Sequence, residues 1–167
     1  MSTRQQTGAG AAKDAGAMGA QDAIALLTAD HREVSDMFEQ YEQLTDRARA
    51  SKQKLTDKIC KALLVHTQIE EEILYPAVRE ALKDSDDMVD EAVVEHAAAK
   101  DLIQQLRDMD PEDDLYDAKV KVLGEEIEHH VGEEEKEMFP KIRKSGLDIK
   151  ALGQELAQRK QELMSTL

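Results

Sequence analysis

Tryptophan is absent from this chain, and tyrosine and phenylalanine together supply only five residues of 167. Segments alternating apolar and polar residues with period two are nearly missing too, which speaks against a sheet. Cysteine occurs once, as Cys60. An intrachain disulfide is therefore excluded, and a reducing compartment such as the cytoplasm fits. No run of residues is apolar for long enough to cross a membrane. The first residues carry Arg4 but lack the apolar core of a signal peptide. Positive charge is also short, with 22 Lys and Arg against 36 Asp and Glu, a formal net charge of −14. That balance argues against nucleic acid or an anionic membrane surface as partner. Serine and cysteine nucleophile arrangements, phosphate-binding loops and zinc-protease motifs are missing as well.

What is abundant is Ala, Glu, Lys, Leu and Gln, all good helix formers. The length suits one domain with a core of its own. Residues 1–20, rich in Gly, Ala, Ser, Thr and Gln, show no apolar face and read as a disordered tail. The rest, 21–167, reads as a single all-α unit. A first helix is predicted from Asp22, a plausible N-cap, fading near Arg47 to Ser51. Leu27, His31, Val34, Phe38 and Tyr41 recur on one face of it. A second helix is predicted from about Ser51 to Leu82, kinked near Pro76. Its stripe contains Leu55, Ile59, Leu63, His66, Ile69, Glu70 and Ile73, and Cys60 beside it reads as a buried structural thiol. Ser85 and Asp86 open a third helix reaching about Asp108, with Val89, Ala92, Val93, His96, Ala99 and Ile103 inward. Asp110-Pro111 reads as an N-cap followed by Pro, starting a fourth helix that runs to about Lys144. Its inward positions include Leu123, Ile127, His130, Glu133, Glu134, Glu137 and Met138. Pro140 repeats the kink of Pro76, and Gly146 closes the segment. A short amphipathic helix over about 147–163 completes the chain.

Two stretches read alike: His66-Thr67-Gln68-Ile69-Glu70 through Tyr75-Pro76, and His130-Val131-Gly132-Glu133-Glu134 through Phe139-Pro140. Residues four apart on a helix share a face. Each stretch therefore presents an imidazole beside a carboxylate, which is half of a metal site. His31 precedes His66 by 35 residues, and His96 precedes His130 by 34. The chain thus repeats a helical hairpin with one His on its first helix and His-x-x-x-Glu on its second. Two such hairpins joined by short loops give an up-down-up-down four-helix bundle. Taken singly, His31 or His96 reads as a satisfied core histidine. As a set, several imidazoles and two carboxylates cannot be buried without compensation, which costs several kcal/mol per charged group. A pair of metal ions would supply that compensation. Nitrogen and carboxylate donors suit iron, and also manganese or zinc.

These motifs, His31, His66-x-x-x-Glu70, His96 and His130-x-x-x-Glu134, resemble those of the hemerythrin family in its bacterial HHE cation-binding branch, over about residues 22–144. The resemblance implies a four-helix bundle around a non-haem di-iron centre. It makes Glu70 and Glu134 the bridging carboxylates, and His31, His66, His96 and His130 the terminal ligands. It implies binding or reduction of dioxygen, hydrogen peroxide or nitric oxide, in stress response. A non-enzymatic role in sensing, delivery or storage of oxygen or iron is the alternative. The oxygen-carrying members have a second His four residues after the third-helix His, and here that position is Lys100. The substitutes for that seventh ligand are His129, Glu133, Glu137 or a Tyr. A ferritin-like site would need Glu-x-x-His twice, and only Glu126-x-x-His129 supplies it.

Overall fold

The computed structural model describes residues 21–167, and the tail expected over 1–20 lies outside them. The described residues form helices joined by short turns: α1 Ala23–Glu42, α2 Arg49–Ile69, α3 Tyr75–Ala81, α4 Asp86–Arg107, α5 Tyr116–Glu133, α6 Phe139–Lys144 and α7 Ile149–Thr166. A π-helical turn, Glu70–Leu74, joins α2 to α3, and a second, Glu134–Met138, joins α5 to α6. Four rods result, and they surround one axis: α1 packs on α2 and α5, and α4 packs on α2 and α5. None of these helices is long and apolar enough to cross a membrane.

The topology follows from the order of apolar and polar residues along each rod. In α1 and α4, one apolar cluster comes first (Leu27; Val89), then a His, then a second cluster (Val34; Ile103). In the α2 and α5 rods the order is reversed: Leu63 or Leu123 of the second cluster precedes the His, and Leu74 or Met138 of the first follows it. Stacking like layers together forces neighbouring rods to run antiparallel, and the histidines meet in a polar layer between two apolar ones. Cys60 is buried in the second cluster, where burial raises its thiol to about 11, as a structural thiol requires. At the far end of the bundle, Lys52 and the Tyr41 hydroxyl both donate to Asp117, tying α2, α1 and α5.

Several expected boundaries move. Asp22 does cap α1, its carboxylate accepting from the Ala25 amide at 2.8 Å, but α1 stops at Glu42, short of Arg47. Asp110-Pro111 does not start the fourth helix. Asp110 instead accepts from the Glu112 amide and organises a turn, and α5 begins at Tyr116. The kinks expected at Pro76 and Pro140 are widened turns placed just before each proline. A proline has no N–H for the α-helical ladder, and the π register accommodates it. Val93 is not inward but 38% exposed, because Ala92 and His96, four apart, set the inner face of α4. The last helix reaches Thr166 and lies along α1 and α2.

Gly153 explains how α7 seats so closely. A Cβ there would lie 2.3 Å from the Gln21 carbonyl oxygen and 2.7 Å from the Ala23 nitrogen, both backbone atoms. Helix propensity favours Ala over Gly by about 1 kcal/mol, yet Gly153→Ala is expected to destabilise by about 1–3 kcal/mol, because backbone cannot swing aside as a side chain can. Thermal unfolding of the metal-free chain checks this; a variant as stable as the parent would contradict the close seating of α7.

Candidate metal centre

The π turns decide which side chains reach the polar layer. In each, the residue five along stacks over the first: the Tyr75 amide donates to the Glu70 carbonyl, and the Phe139 amide to the Glu134 carbonyl. One extra residue per turn rotates everything beyond it by about 100°. Tyr75 and Phe139 therefore swing in over the carboxylates, and Glu137 swings out to solvent. Glu137 was expected to face in and to serve as a substitute ligand, and both expectations fail for this reason.

His31, His66, Glu70, His96, His130 and Glu134 all meet in the middle layer, each 6% exposed or less. The Nε2 atoms of His31 and His66 are 3.2 Å apart, and those of His96 and His130 are 3.0 Å apart. Glu70 Oε2 lies 3.2 Å from His66 Nε2 and 3.3 Å from His96 Nε2, so it touches both pairs. Glu134 does the same, with Oε2 3.3 Å from His31 Nε2 and Oε1 3.6 Å from His130 Nε2. These approaches lack hydrogen-bond direction. Both oxygens of Glu70 and Oε2 of Glu134 are buried with no hydrogen-bond partner. Buried, unpartnered carboxylate oxygens facing four imidazole nitrogens fit a cation. Two donors about 2.1 Å from one ion and roughly 95° apart would stand about 3.1 Å from each other, close to the spacing of each His pair.

Each of the four histidines of the layer is also held from behind. His31 Nδ1 donates to Glu135 at 2.9 Å, His96 Nδ1 to Glu71 at 2.9 Å and His130 Nδ1 to Glu95 at 2.7 Å. His66 Nδ1 leans on Asp30 at 3.4 Å. A carboxylate on Nδ1 fixes the ring and leaves Nε2 to face the metal. Two lysines back these acids, Lys160 on Asp30 at 2.5 Å and Lys100 on Glu71 at 2.7 Å. Lys100, at the position where oxygen carriers have a His, thus supports the carboxylate behind His96. None of these backing acids emerged from the sequence reading, although a signal exists: an acid precedes His31 and His96, and an acid follows Glu70 and Glu134.

Among the proposed substitutes, only a tyrosine reaches the layer. The Tyr75 hydroxyl donates to Glu134 Oε1 at 2.9 Å and lies 3.2 Å from His96 Nε2. Its ring stacks on that of His96, and Phe139 stacks on His31 in the equivalent place. His129 is 66% exposed, beside Glu133 and Glu95 and outside the layer. The register that pairs His130 with Glu134 is therefore the one the fold adopts.

The family model for the hemerythrin HHE cation binding domain matches residues 22–142. The chain belongs to the hemerythrin HHE cation binding domain family. A solved hemerythrin HHE cation binding domain-containing protein from Mycobacterium kansasii has a similar fold, with a TM-score of 0.74 over 87% of this chain and 89% of that one, at 21% identity. Among curated proteins, one from Nostoc sp. named a DNA nickase is 31% identical over 126 residues, 75% of this chain. This hemerythrin-like chain spans only 34% of that relative's length.

Without metal, the carboxylates of the layer favour protonated imidazoles. Burial works against a charged His66, but the charges of Glu70 and Glu134 and the Asp30 contact outweigh it and raise the ring from 6.5 to about 10. His96 is likewise raised, to about 9, by Glu70 and Glu71 against its burial. Glu70 is held well below 4.5, since the His66 charge overcomes the effect of burial. The signs follow. The two histidines stabilise the metal-free fold fully below 6.5, and that contribution is lost as pH rises through about 9 to 10. Glu70 contributes above 4.5 and loses its contribution as pH falls below that value. A metal ion must displace the Nε2 protons. Loading the metal-free protein at neutral pH in weak buffer is therefore expected to release about two protons per chain. Uptake with no acidification would contradict the protonated layer.

Proposed function

We propose that this protein holds two non-haem iron ions in the middle layer and uses them to bind or reduce a small oxidant, namely dioxygen, hydrogen peroxide or nitric oxide. The set of unpartnered oxygens on Glu70 and Glu134, each carboxylate touching both histidine pairs, carries the reading. In it, His31 and His66 would hold one ion and His96 and His130 the other, with Glu70 and Glu134 within reach of both pairs. Manganese or zinc would suit the same donors. When bound, a ferrous pair supplies two electrons.

The chain's own residues supply the rest. A cleft of about 490 Å³ descends along α1 and α5 to His31, past Phe38 and Ile127. Beside His31, His66 and His130 lies a void of about 10 Å³ walled by Val34, Leu63 and Ile127. That volume is close to the minimum for one water-sized molecule. It suits a small neutral ligand and keeps bulk water out. Tyr75 holds a proton on the opposite side. Burial and the charges of Glu70 and Glu134 push its phenol far above the ordinary range, so it stays protonated. Toward Glu134 the hydroxyl donates a hydrogen bond and keeps its proton; only a strongly basic reduced ligand would take that proton.

A second reading is a non-enzymatic module that senses, stores or delivers oxygen or iron. The match to about a third of the Nostoc relative favours it, since there the domain is one part of a larger protein. The net charge of −14 disfavours carrying that protein's name over as DNA binding here.

Anaerobic loading with ferrous iron, followed by spectra with each oxidant in turn, tests the proposal. About two irons per chain and near-ultraviolet charge-transfer bands are expected. A reversible spectrum favours binding, and bleaching with peroxide consumption favours turnover. One iron or fewer after full loading would overturn the paired site. Tyr75→Phe is expected to keep both ions and to slow any peroxide reduction on the order of 10²-fold. An unchanged rate would remove Tyr75 from the proton path.

A further inference from the structure

The last helix lies outside the repeat, yet one of its side chains reaches the edge of the polar layer. Lys160 of α7 donates from Nζ to Asp30 Oδ1 at 2.5 Å, and the other oxygen of Asp30, Oδ2, lies 3.4 Å from His66 Nδ1. Asp30 is 7% exposed and immediately precedes His31. One buried carboxylate therefore touches one histidine of a pair and is the chain neighbour of the other. Lys160 stands on the face that α7 buries. Leu156 comes four residues before it and Leu163 three after, and both belong to the first apolar cluster. Their packing against the bundle fixes where the ammonium ends.

The repeat shows why this contact matters. Asp30 and Glu95 hold equivalent places, each one residue before the first-helix His, and each backs the second-helix His of its own hairpin. Glu95 reaches His130 Nδ1 at 2.7 Å, whereas the aspartate, one methylene shorter, stops 3.4 Å from His66 Nδ1. A short carboxylate shared between an imidazole and an ammonium is placed by both. A carboxylate on the far nitrogen orients a ligating imidazole and raises its basicity, and losing such a partner costs on the order of 10- to 100-fold in metal affinity. We infer that Lys160 is a positioning residue for the His31–His66 half of the centre: by holding Asp30 it fixes the His66 ring, and so makes α7 part of the metal site. The inference rests on the reading that the middle layer holds two ions, and adds that one of them depends on a helix outside the four rods. Arg159, one residue earlier, pairs with Glu72 on the exposed surface, where such pairs contribute little. Substitution can therefore separate the seating of α7 from the placing of Asp30.

The test uses the full chain, loaded anaerobically with ferrous iron. Lys160→Met keeps the apolar stem and removes the ammonium, Lys160→Arg restores a donor, and Arg159→Met removes the neighbouring surface pair. Each is challenged with rising concentrations of a ferrous chelator, and thermal unfolding of the metal-free form is recorded alongside. In Lys160→Met one of the two irons is expected to leave at about tenfold lower chelator concentration, while the other holds as in the parent. Lys160→Arg should recover most of that loss, and Arg159→Met should match the parent. Asp30→Asn should loosen the same iron, and adding Lys160→Met to it should cost nothing further, because the two side chains act through one contact. Equal weakening of both irons together with a lowered unfolding temperature would mean that Lys160 only supports packing, and would overturn the inference. So would full additivity with Asp30→Asn, or an Arg159→Met that reproduces the loss. A parent holding two irons beside a Lys160→Met that behaves identically would sink the role of Lys160 and leave the di-metal reading standing. A parent that takes up one iron or fewer would sink both.

Discussion

Everything in this bundle answers to two carboxylates, Glu70 and Glu134, buried between apolar layers. An isolated ionised carboxylate in such a place costs several kcal/mol even after relaxation. Four histidines surround the pair, and each is steadied by an acid on its far nitrogen. Those acids need partners in turn, and Lys100 and Lys160 serve two of them. Charge thus alternates outward from the centre: carboxylate, imidazole, carboxylate, ammonium. Such a network is stable only when complete, so its outer members matter for the inner ones. In the metal-free state the surrounding carboxylates favour protonated rings at His66 and His96, which offset that charge. A metal pair would complete the network with stronger charge.

The π turns are the second constraint. Each begins at a buried Glu and ends one residue before the aromatic that precedes a proline. The widened turn has two consequences at once. It accommodates a proline that an α-helix interior would reject, and it turns Tyr75 and Phe139 inward over the carboxylates. Removing the extra residue would point those rings elsewhere and bring Glu137 back toward the core. The local backbone defect is therefore part of how the site is built.

This also explains what the sequence could and could not disclose. The six inner residues were legible because their spacing of four on regular helices survives folding, and because the 35 and 34 intervals repeat. The antiparallel bundle was legible for the same reason. Glu137 and Val93 were misplaced because a straight, ideal period was extended past the point where the helix obeys it. Tyr75 could be named only as one tyrosine among three, since on an α-helix it would sit well off the face of Glu70. The backing acids were hidden by abundance: with 36 Asp and Glu in the chain, an acid beside a histidine carries little information until packing selects it. Asp110-Pro111 is a fair helix start by local chemistry, but the Asp110 side chain spends itself on a turn instead.

The repeat is not quite symmetric, and the differences fall on opposite sides of Glu134. On the His96 side stand the Tyr75 hydroxyl and the Lys100–Glu71 pair. On the His31 side stand Phe139, which can donate nothing, and the larger cleft leading in from the surface. Glu134 joins the two, Oε2 close to His31 and Oε1 accepting from Tyr75. Glu134 is thus the one carboxylate of the pair that meets a hydroxyl on one face and an apolar wall on the other. A symmetric pair of phenylalanines would leave the centre able to bind a ligand but with no proton at hand. A symmetric pair of tyrosines would put a second hydroxyl beside His31, where a small neutral ligand needs an apolar wall. One hydroxyl and one bare ring therefore give the two faces different chemistry, a hydrogen-bond donor beside His96 and an apolar wall beside His31.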